Sequence, residues 1–135
     1  MNDVAVSELA SEPSAQRELV DQWRGLFARH AAVYNAIEAE LRQKHGIGVN
    51  EFEVLERLMV CREGKCRSAD VMDAVHLSQS AASRLVARME RDGLVERAMC
   101  DLDRRGIFVV LTDAGRQRYR EARPTQRGVL AAALR

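Results

Sequence analysis

The sequence is poor in aromatic residues, has no long apolar run and carries almost no net charge. Aromatic residues make up only 4% of the 135 residues, which favours a helical protein packed with Leu, Val and Ala over a β-sandwich or barrel. No stretch approaches the ~20 apolar residues of a membrane span, and the polar N-terminus lacks the apolar segment of a secretory signal. We therefore predict a cytoplasmic protein with no membrane partner.

Cysteines are few and charges are nearly balanced. Three cysteines, an odd number without a secretory signal, do not indicate a disulfide-stabilised secreted domain. The formal net charge of +1 gives no argument for nucleic acid, so a DNA-binding protein of this kind would depend on a few well-placed arginines. The sequence also lacks the phosphate-binding, dinucleotide and nucleophile motifs of common enzymes, and we expect neither an enzyme nor a cofactor.

The first third of the chain predicts a tail and a long helix. Residues 1–13 are expected to be a disordered tail, and residues 14–46 a helix that ends at Gly46. Apolar and aromatic side chains recur in that helix at three- and four-residue steps, close to a coiled-coil repeat: Leu19, Trp23, Leu26, His30, Tyr34, Ile37 and Leu41. One small subunit cannot bury this whole stripe, so we predict that residues 14–46 form a dimerisation helix.

Residues 47–111 predict a winged helix-turn-helix. Asn50 and Glu53 resemble a capping box that opens a helix, and a charged loop with Gly64 follows it. A short helix, a tight turn and a helix over 78–92 come next; Ser78 is the predicted N-cap of the last of these and Gly93 ends it. Residues 94–97 and 107–111 read as two strands around a charged hairpin tip at 101–106.

The last segment, 112–135, predicts a C-terminal dimerisation helix that Thr112 caps and Pro124 interrupts. The predicted fold class is therefore mainly α with a small β-hairpin, in which a winged helix-turn-helix is joined to a helical dimerisation layer.

The helix over 78–92 has two different faces at 100° per residue. The apolar face is predicted to contact the core: Ala82, Leu85, Val86 and Met89. The opposite face carries Ser80, Arg84, Ala87 and Arg91, with Ser83 and Arg88 on its flanks. Small side chains let a helix approach DNA bases and arginine can bond a guanine edge. A solvated amphipathic helix would look similar, but its place after a tight turn and before a hairpin favours DNA reading.

The hairpin tip is a second candidate for DNA contact. Arg104 and Arg105 suit a narrow minor groove because of its negative potential. Asp103 could orient the arginine beforehand and so lower the ordering cost of binding. The alternative interpretation is a solvated charged turn.

Four segments in this order resemble the multiple-antibiotic-resistance regulator (MarR) family. They are SQSAASRLV at 78–86, GLVER at 93–97, DLDRR at 101–105 and LTDAGR at 111–116, and the resemblance spans about residues 17–123. It implies a homodimer whose first and last helices form the dimerisation layer, with two recognition helices in successive major grooves of a near-palindromic operator. It also implies a repressor that a small ligand releases.

Motif position and the residue argument together define the candidate contacts to double-stranded DNA. These are Ser78, Gln79, Ser80, Ser83, Arg84, Arg88, Asp103, Arg104 and Arg105, with Asp103 expected to orient Arg105. Family members commonly carry a further C-terminal helix, whereas this sequence stops at Arg135. Either the chain is shortened or its dimer layer is built mostly from the first helix.

Three kinds of switch can be considered. Trp23, Phe27, His30 and Tyr34 could line a pocket for a small aromatic or carboxylate effector between the long helix and the winged domain, although dimer or domain core is the simpler interpretation. Cys61 and Cys66 lie beside basic residues, which favour reactive thiolates. A thiol-based redox sensor is therefore an alternative, and the competing interpretation is that these thiols have no redox role.

A metal switch has the least support, because the three histidines and three cysteines show no ligand spacing. The remaining rival to a DNA-binding regulator is a winged helix that binds protein instead of DNA.

Overall fold

The computed structural model describes residues 3–100 and 103–135, without the side chains of residues 9, 100 and 103–105. The helices are α1 (Asp3–Ala10), α2 (Ser14–His45), α3 (Val49–Val60), α4 (Ser68–Asp73), α5 (Gln79–Arg91) and α6 (Asp113–Leu134). The strands are β1 (Lys65–Arg67), β2 (Val95–Cys100) and β3 (Asp103–Leu111). Two compact units, Met1–Asn35 and Ala36–Arg135, divide the chain, and α2 contributes residues to each.

The first unit is helical, including a segment for which we expected none. Asp3–Ala10 forms α1, so the expected disordered tail is wrong for these residues. The segment before Pro13 contains no glycine or proline, and Asp3 lies in the first turn, where a carboxylate is favourable at the positive end of the helix dipole. Large apolar side chains along the first part of α2 are exposed in the single chain: Leu19, Trp23, Leu26 and Phe27.

The second unit is organised around α3. Phe52, Leu55 and Leu58 of this helix are fully buried, and the Phe52 ring stacks on the Tyr119 ring of α6 with 5.4 Å between centroids. The sheet and α4 pack against the same core through Val71, Val95 and Val109, which are also fully buried. This core holds the helix-turn-helix, α4 and α5, against the sheet.

The sheet has three antiparallel strands in the order β1-β3-β2, one more than the predicted hairpin. Strand β1 pairs with β3 in the register Cys66 to Val109, and β2 pairs with β3 in the register Arg97 to Val109. Sequence reasoning placed residues 61–67 in a loop because a strand of three residues is too short to show alternation. The mainly helical fold class with a winged helix-turn-helix is confirmed.

Helix α6 continues through Pro124 without interruption, so the predicted break is wrong. Proline removes one backbone hydrogen bond, to the carbonyl four residues earlier, but Pro124 and Arg120 are both exposed, where water can replace the lost donor. Ala122 and Gln126, on either side of the proline, are buried. Packing of this face therefore keeps the chain helical on both sides of the proline. Over residues 3–100 and 103–135, no helix has the length and apolar character needed to cross a membrane.

Candidate nucleic-acid interface

Helix α5 starts and ends at well-defined caps. The Ser78 hydroxyl accepts a hydrogen bond from the Ala81 N–H at 3.2 Å, as predicted for an N-cap. At the other end Gly93 has a φ of +75°, and its N–H donates to the Glu90 carbonyl while the Leu94 N–H donates to the Met89 carbonyl. This is the hydrogen-bond pattern of a glycine C-cap. The two caps fix both the length of α5 and the direction in which β2 leaves it.

The two faces of α5 are those that its sequence predicts. The four core residues are almost completely buried, at 0–3% exposure: Ala82, Leu85, Val86 and Met89. Gln79, Ser80, Ser83 and Arg84 are exposed. Ser80 and Ser83 on this face are short, so the helix backbone can lie close to another surface while the longer Arg84 reaches out from it.

The hairpin that follows α5 is longer than predicted. Strand β2 runs to Cys100 and β3 begins at Asp103, with the irregular pairing confined to the end next to Met99 and Cys100. Arg104 and Arg105 therefore belong to the first residues of β3, and not to a loop of 101–106 as predicted. The side chains of Asp103, Arg104 and Arg105 lie outside the described residues, so their predicted roles stay predictions.

A groove of about 390 Å³ lies between α5, β1 and the hairpin. Gln79 and Ser83 of α5 line one side of it, and Arg67 and Arg97 line the other. The Arg97 guanidinium lies near the Ser83 carbonyl, 3.4 Å from Nη2, which places a cation beside the exposed face of α5. The sequence analysis did not predict these two arginines as site residues. Strand β1, which contains Arg67, was not recognised, and no local pattern shows that the side chain of Arg97 faces the helix.

Arg88 is placed differently from the other α5 candidates. Its Nη2 donates to Oε1 of the Glu51 carboxylate of α3 at 3.2 Å, and 51% of the Arg88 side chain is exposed. We predicted Arg88 as a DNA contact on the flank of the helix. In the structure its guanidinium bonds Glu51 while half of the side chain stays exposed, so its predicted contact with DNA stays a prediction.

Comparisons with known proteins give one consistent answer. The MarR family model matches residues 45–106, which include α3, the helix-turn-helix and most of the hairpin. An uncharacterized HTH-type transcriptional regulator of Bacillus subtilis, YwhA, is 33% identical over 58 residues. That match spans 43% of this chain and only 42% of the relative.

Two solved structures from Streptomyces coelicolor are similar over most of the chain. The MarR family transcriptional regulator AbsC is 28% identical, with a TM-score of 0.80 over 90% of this chain and 80% of its own. The MarR family transcriptional regulator Sco3205, solved in complex with DNA, is 25% identical, with a TM-score of 0.80 over 90% of this chain and 76% of its own.

The chain thus matches the MarR family of DNA-binding transcriptional regulators over residues 45–106, and its fold is similar to that of two MarR family regulators over 90% of its length. The resemblance seen in the four sequence segments is therefore confirmed, and with it the expectation of a regulator instead of an enzyme.

The candidate effector residues lie on the long helix α2. In α2 the Trp23 and Phe27 rings lie 5.9 Å apart between centroids, as do the His30 and Tyr34 rings. Trp23 and Phe27 are 62% and 63% exposed. These two rings are therefore not part of the core of this single chain.

The two candidate redox residues, Cys61 and Cys66, are brought together. Cys61, at the end of α3, and Cys66, in β1, form a disulfide with 5.8 Å between their Cα atoms. It closes the turn that contains Arg62–Gly64, where Glu63 has a φ of +60°. Because β1 leads directly into α4, this link lies at the entry to the helix-turn-helix.

Proposed function

We propose that two copies of this chain bind a near-palindromic operator, with each α5 in a major groove and each β2–β3 hairpin against the flanking minor groove. The observation that carries the proposal is the exposed face of α5, on which the side chains of Ser80, Ser83 and Arg84 are all exposed. B-DNA's major groove admits one α-helix, and arginine can bond a guanine edge with two donors. In this arrangement Arg84 reads a base, and the serines bond bases or phosphates.

Phosphate contacts would come from groups around the same face. The free N–H groups in the first turn of α5, beside Ser78, carry the positive end of the helix dipole and suit an anion. Arg67 and Arg97, on the groove wall opposite α5, are the basic side chains that the proposal adds to those predicted from sequence. Such contacts set the orientation of the protein on the duplex and carry no sequence information.

The dimer part of the proposal is supported by α2. Leu19, Trp23, Leu26 and Phe27 are each more than 60% exposed in one chain, and they repeat at the helical spacing of an interface. A second copy of α2 is the occupant that symmetry would supply.

The experiment is selection of binding sites from a random duplex pool, followed by gel shifts at several salt concentrations. We expect selected sites to contain two inverted half-sites whose centres lie about one helical turn, roughly 10 bp, apart. Affinity should fall as salt rises, because cations on the protein displace counterions from phosphate. If no sequence is enriched and the chain does not bind duplex DNA at low salt, it is a winged helix that binds protein.

We propose further that the regulator is a repressor released by a small aromatic or carboxylate effector that contacts Trp23, Phe27, His30 and Tyr34. Trp23 is the single tryptophan, so its fluorescence reports this region directly. Titration with a panel of aromatic acids should change the Trp23 emission and, for the same compounds, weaken binding to the selected operator. A panel that changes neither quantity contradicts effector binding at these residues.

The disulfide supports a second candidate function, redox sensing. Here a hydroperoxide is reduced to water and alcohol while the Cys61 and Cys66 thiols lose two electrons and two protons and join as the disulfide. Operator affinity should then differ between fully reduced and oxidised protein, and the C61S variant should not respond to either treatment. Equal affinity of the reduced and oxidised wild-type protein rules out this function.

A further inference from the structure

Glu51 is a buried carboxylate with three donors around it. Its residue is only 6% exposed, and it lies in the first turn of α3. One oxygen accepts a hydrogen bond from the Gly48 N–H. The other lies 3.2 Å from Nη2 of Arg88 and 3.5 Å from Nη2 of Arg42.

The three donors come from three different parts of the fold. Arg42 belongs to the last turns of α2, Gly48 precedes α3, and Arg88 belongs to the recognition helix α5. Glu38 also pairs with Arg42 at 3.4 Å. Acidic and basic side chains therefore alternate in a series of ion pairs from Glu38 through Arg42 and Glu51 to Arg88, which leads from α2 to the recognition helix.

The Glu38 and Arg42 side chains lie close to the Gly48 backbone. A side chain on Gly48 would place its Cβ 2.2 Å from the Glu38 carboxylate and 2.6 Å from the Arg42 guanidinium. Glycine at this position therefore leaves room for the pair beside the start of α3. Arg42 and Arg88 keep about half of their side chains exposed, so water can solvate them if Glu51 is removed.

The ion pairs of the buried Glu51 carboxylate are better suited to positioning the helices than to raising the stability of the fold. A buried carboxylate loses its hydration, and its ion pairs commonly only offset that loss. What the arrangement provides is geometry, because the charge is satisfied only when Arg42 and Arg88 approach it together. A shifted α5 would leave a buried carboxylate with fewer donors, which is unfavourable.

We infer that Glu51 is a positioning residue for DNA recognition: it holds Arg88, and with it the recognition helix, at a set position against the end of α2. Arg88 then acts within the protein and not on the bases. The inference rests on the proposed function, because the separation of the two recognition helices in the dimer determines which half-site spacing is bound. Loss of Glu51 should weaken binding to the selected operator and relax its preference for half-site spacing.

The test measures affinities of wild-type, E51Q, R88Q and E51Q/R88Q proteins for the selected operator and for versions with one base pair added or removed between half-sites. Glutamine keeps the shape of Glu51 and removes its charge. We expect each single variant to lose roughly 3- to 30-fold in affinity for the selected operator and less for the altered spacings. The double variant should be no weaker than either single one, and R88K should recover part of the loss.

The salt dependence separates positioning from direct contact. If Arg88 bonded a phosphate, R88Q would lower the slope of log affinity against log salt by about 1 for each subunit, and E51Q would not. We expect neither variant to change the slope. E40Q is the matched control, because it removes a carboxylate from the exposed Glu40–Lys44 pair of α2 and should bind as the wild type does.

Different results would contradict the positioning role of Glu51 and the proposed function. Wild-type affinity of E51Q, additive losses in the double variant, or a slope change in R88Q alone overturns the inference while operator binding by the wild type stands. If E51Q unfolds, R42Q and R88Q take its place, since both residues are half exposed, and additive losses there overturn the inference too. A wild-type protein that selects no operator overturns the proposed function itself.

Discussion

The Thr112 hydroxyl donates a hydrogen bond to the carbonyl of Gly93 at 2.6 Å. The same oxygen accepts from the Gly115 N–H at 3.0 Å and so caps α6. One side chain therefore joins the end of the recognition helix to the start of the C-terminal helix. A Cβ at Gly115 would lie 2.1 Å from the Leu94 carbonyl oxygen, which shows how closely the two segments approach.

Gly115→Ala should destabilise the protein, because its methyl group would meet backbone that cannot move away without separating α6 from β2. We expect a loss of about 1–3 kcal/mol in the free energy of unfolding, measured by urea denaturation. Gly128→Ala, on the same helix with open space around it, is the control and should stabilise by about 0.5–1 kcal/mol. Equal effects of the two changes would contradict the close approach.

Arg84→Ala should lower operator affinity and relax base preference at one position of each half-site. A bidentate contact to a base contributes ~1–3 kcal/mol of discrimination, which competition gel shifts against single-base variants of the operator can measure. Arg120→Ala removes the same charge from an exposed position of α6 and should leave base preference unaltered. If Arg84→Ala changes affinity without changing any base preference, Arg84 contacts phosphate instead.

Leu26→Asp should dissociate the proposed dimer, because it puts a charge among the exposed apolar residues of α2. The chain mass is 15.2 kDa, so light scattering should give about twice that mass for the wild type and the single-chain mass for the variant. Gln22→Asp, also exposed on α2, tests whether an added charge alone is enough. A wild-type protein that is monomeric at all concentrations removes α2 as an interface.

Glu56 should make stability depend on acid pH. Burial raises the pKa of this carboxyl, but hydrogen bonds from Arg127 and Tyr119 outweigh burial and hold the pKa below its ordinary value of 4.5. A pKa that is lower in the folded than in the unfolded state gives stability that is present above pH 4.5 and is lost as pH falls through the folded pKa.

The measurement is the free energy of unfolding between pH 3 and 7 for wild type and Glu56→Gln. The variant should be less stable at pH 7 and should lose less stability on acidification, so that the two curves converge at low pH. Parallel curves over the whole range would mean that Glu56 has the same pKa in both states.

Reduction of the Cys61–Cys66 disulfide should lower stability. Closing a loop of this length restricts the unfolded chain by about 2 kcal/mol in the entropic model. Thermal unfolding with and without a thiol reductant should show the difference in the wild type, and the C61S/C66S variant should show none. A wild-type transition that does not respond to full reduction, checked by thiol titration, contradicts this stabilisation.

Much of the recognition element follows from local pattern. The buried and exposed faces of α5, its Ser78 cap, its Gly93 end and the Thr112 cap all agree with the sequence prediction. The prediction was less reliable where two neighbouring sets of residues could form the same local motif. Asn50 and Glu53 suggested a capping box, but α3 begins at Val49 and Glu51 accepts the Gly48 N–H instead.

The sequence by itself determined the order of the helices from α2 onward, the face of α5 that is buried and the points at which that helix begins and ends. These depend on side chains three or four residues apart, whose contacts exist as soon as a helix forms. Only the tertiary structure decided that Lys65–Arg67 joins the sheet, that Arg67 and Arg97 face α5, and that Arg88 pairs with Glu51. Each of these contacts joins residues that are distant along the chain, 37 positions apart for Arg88 and Glu51. Local spacing carries no record of such pairs, because they form only when packing of the core brings separate elements together.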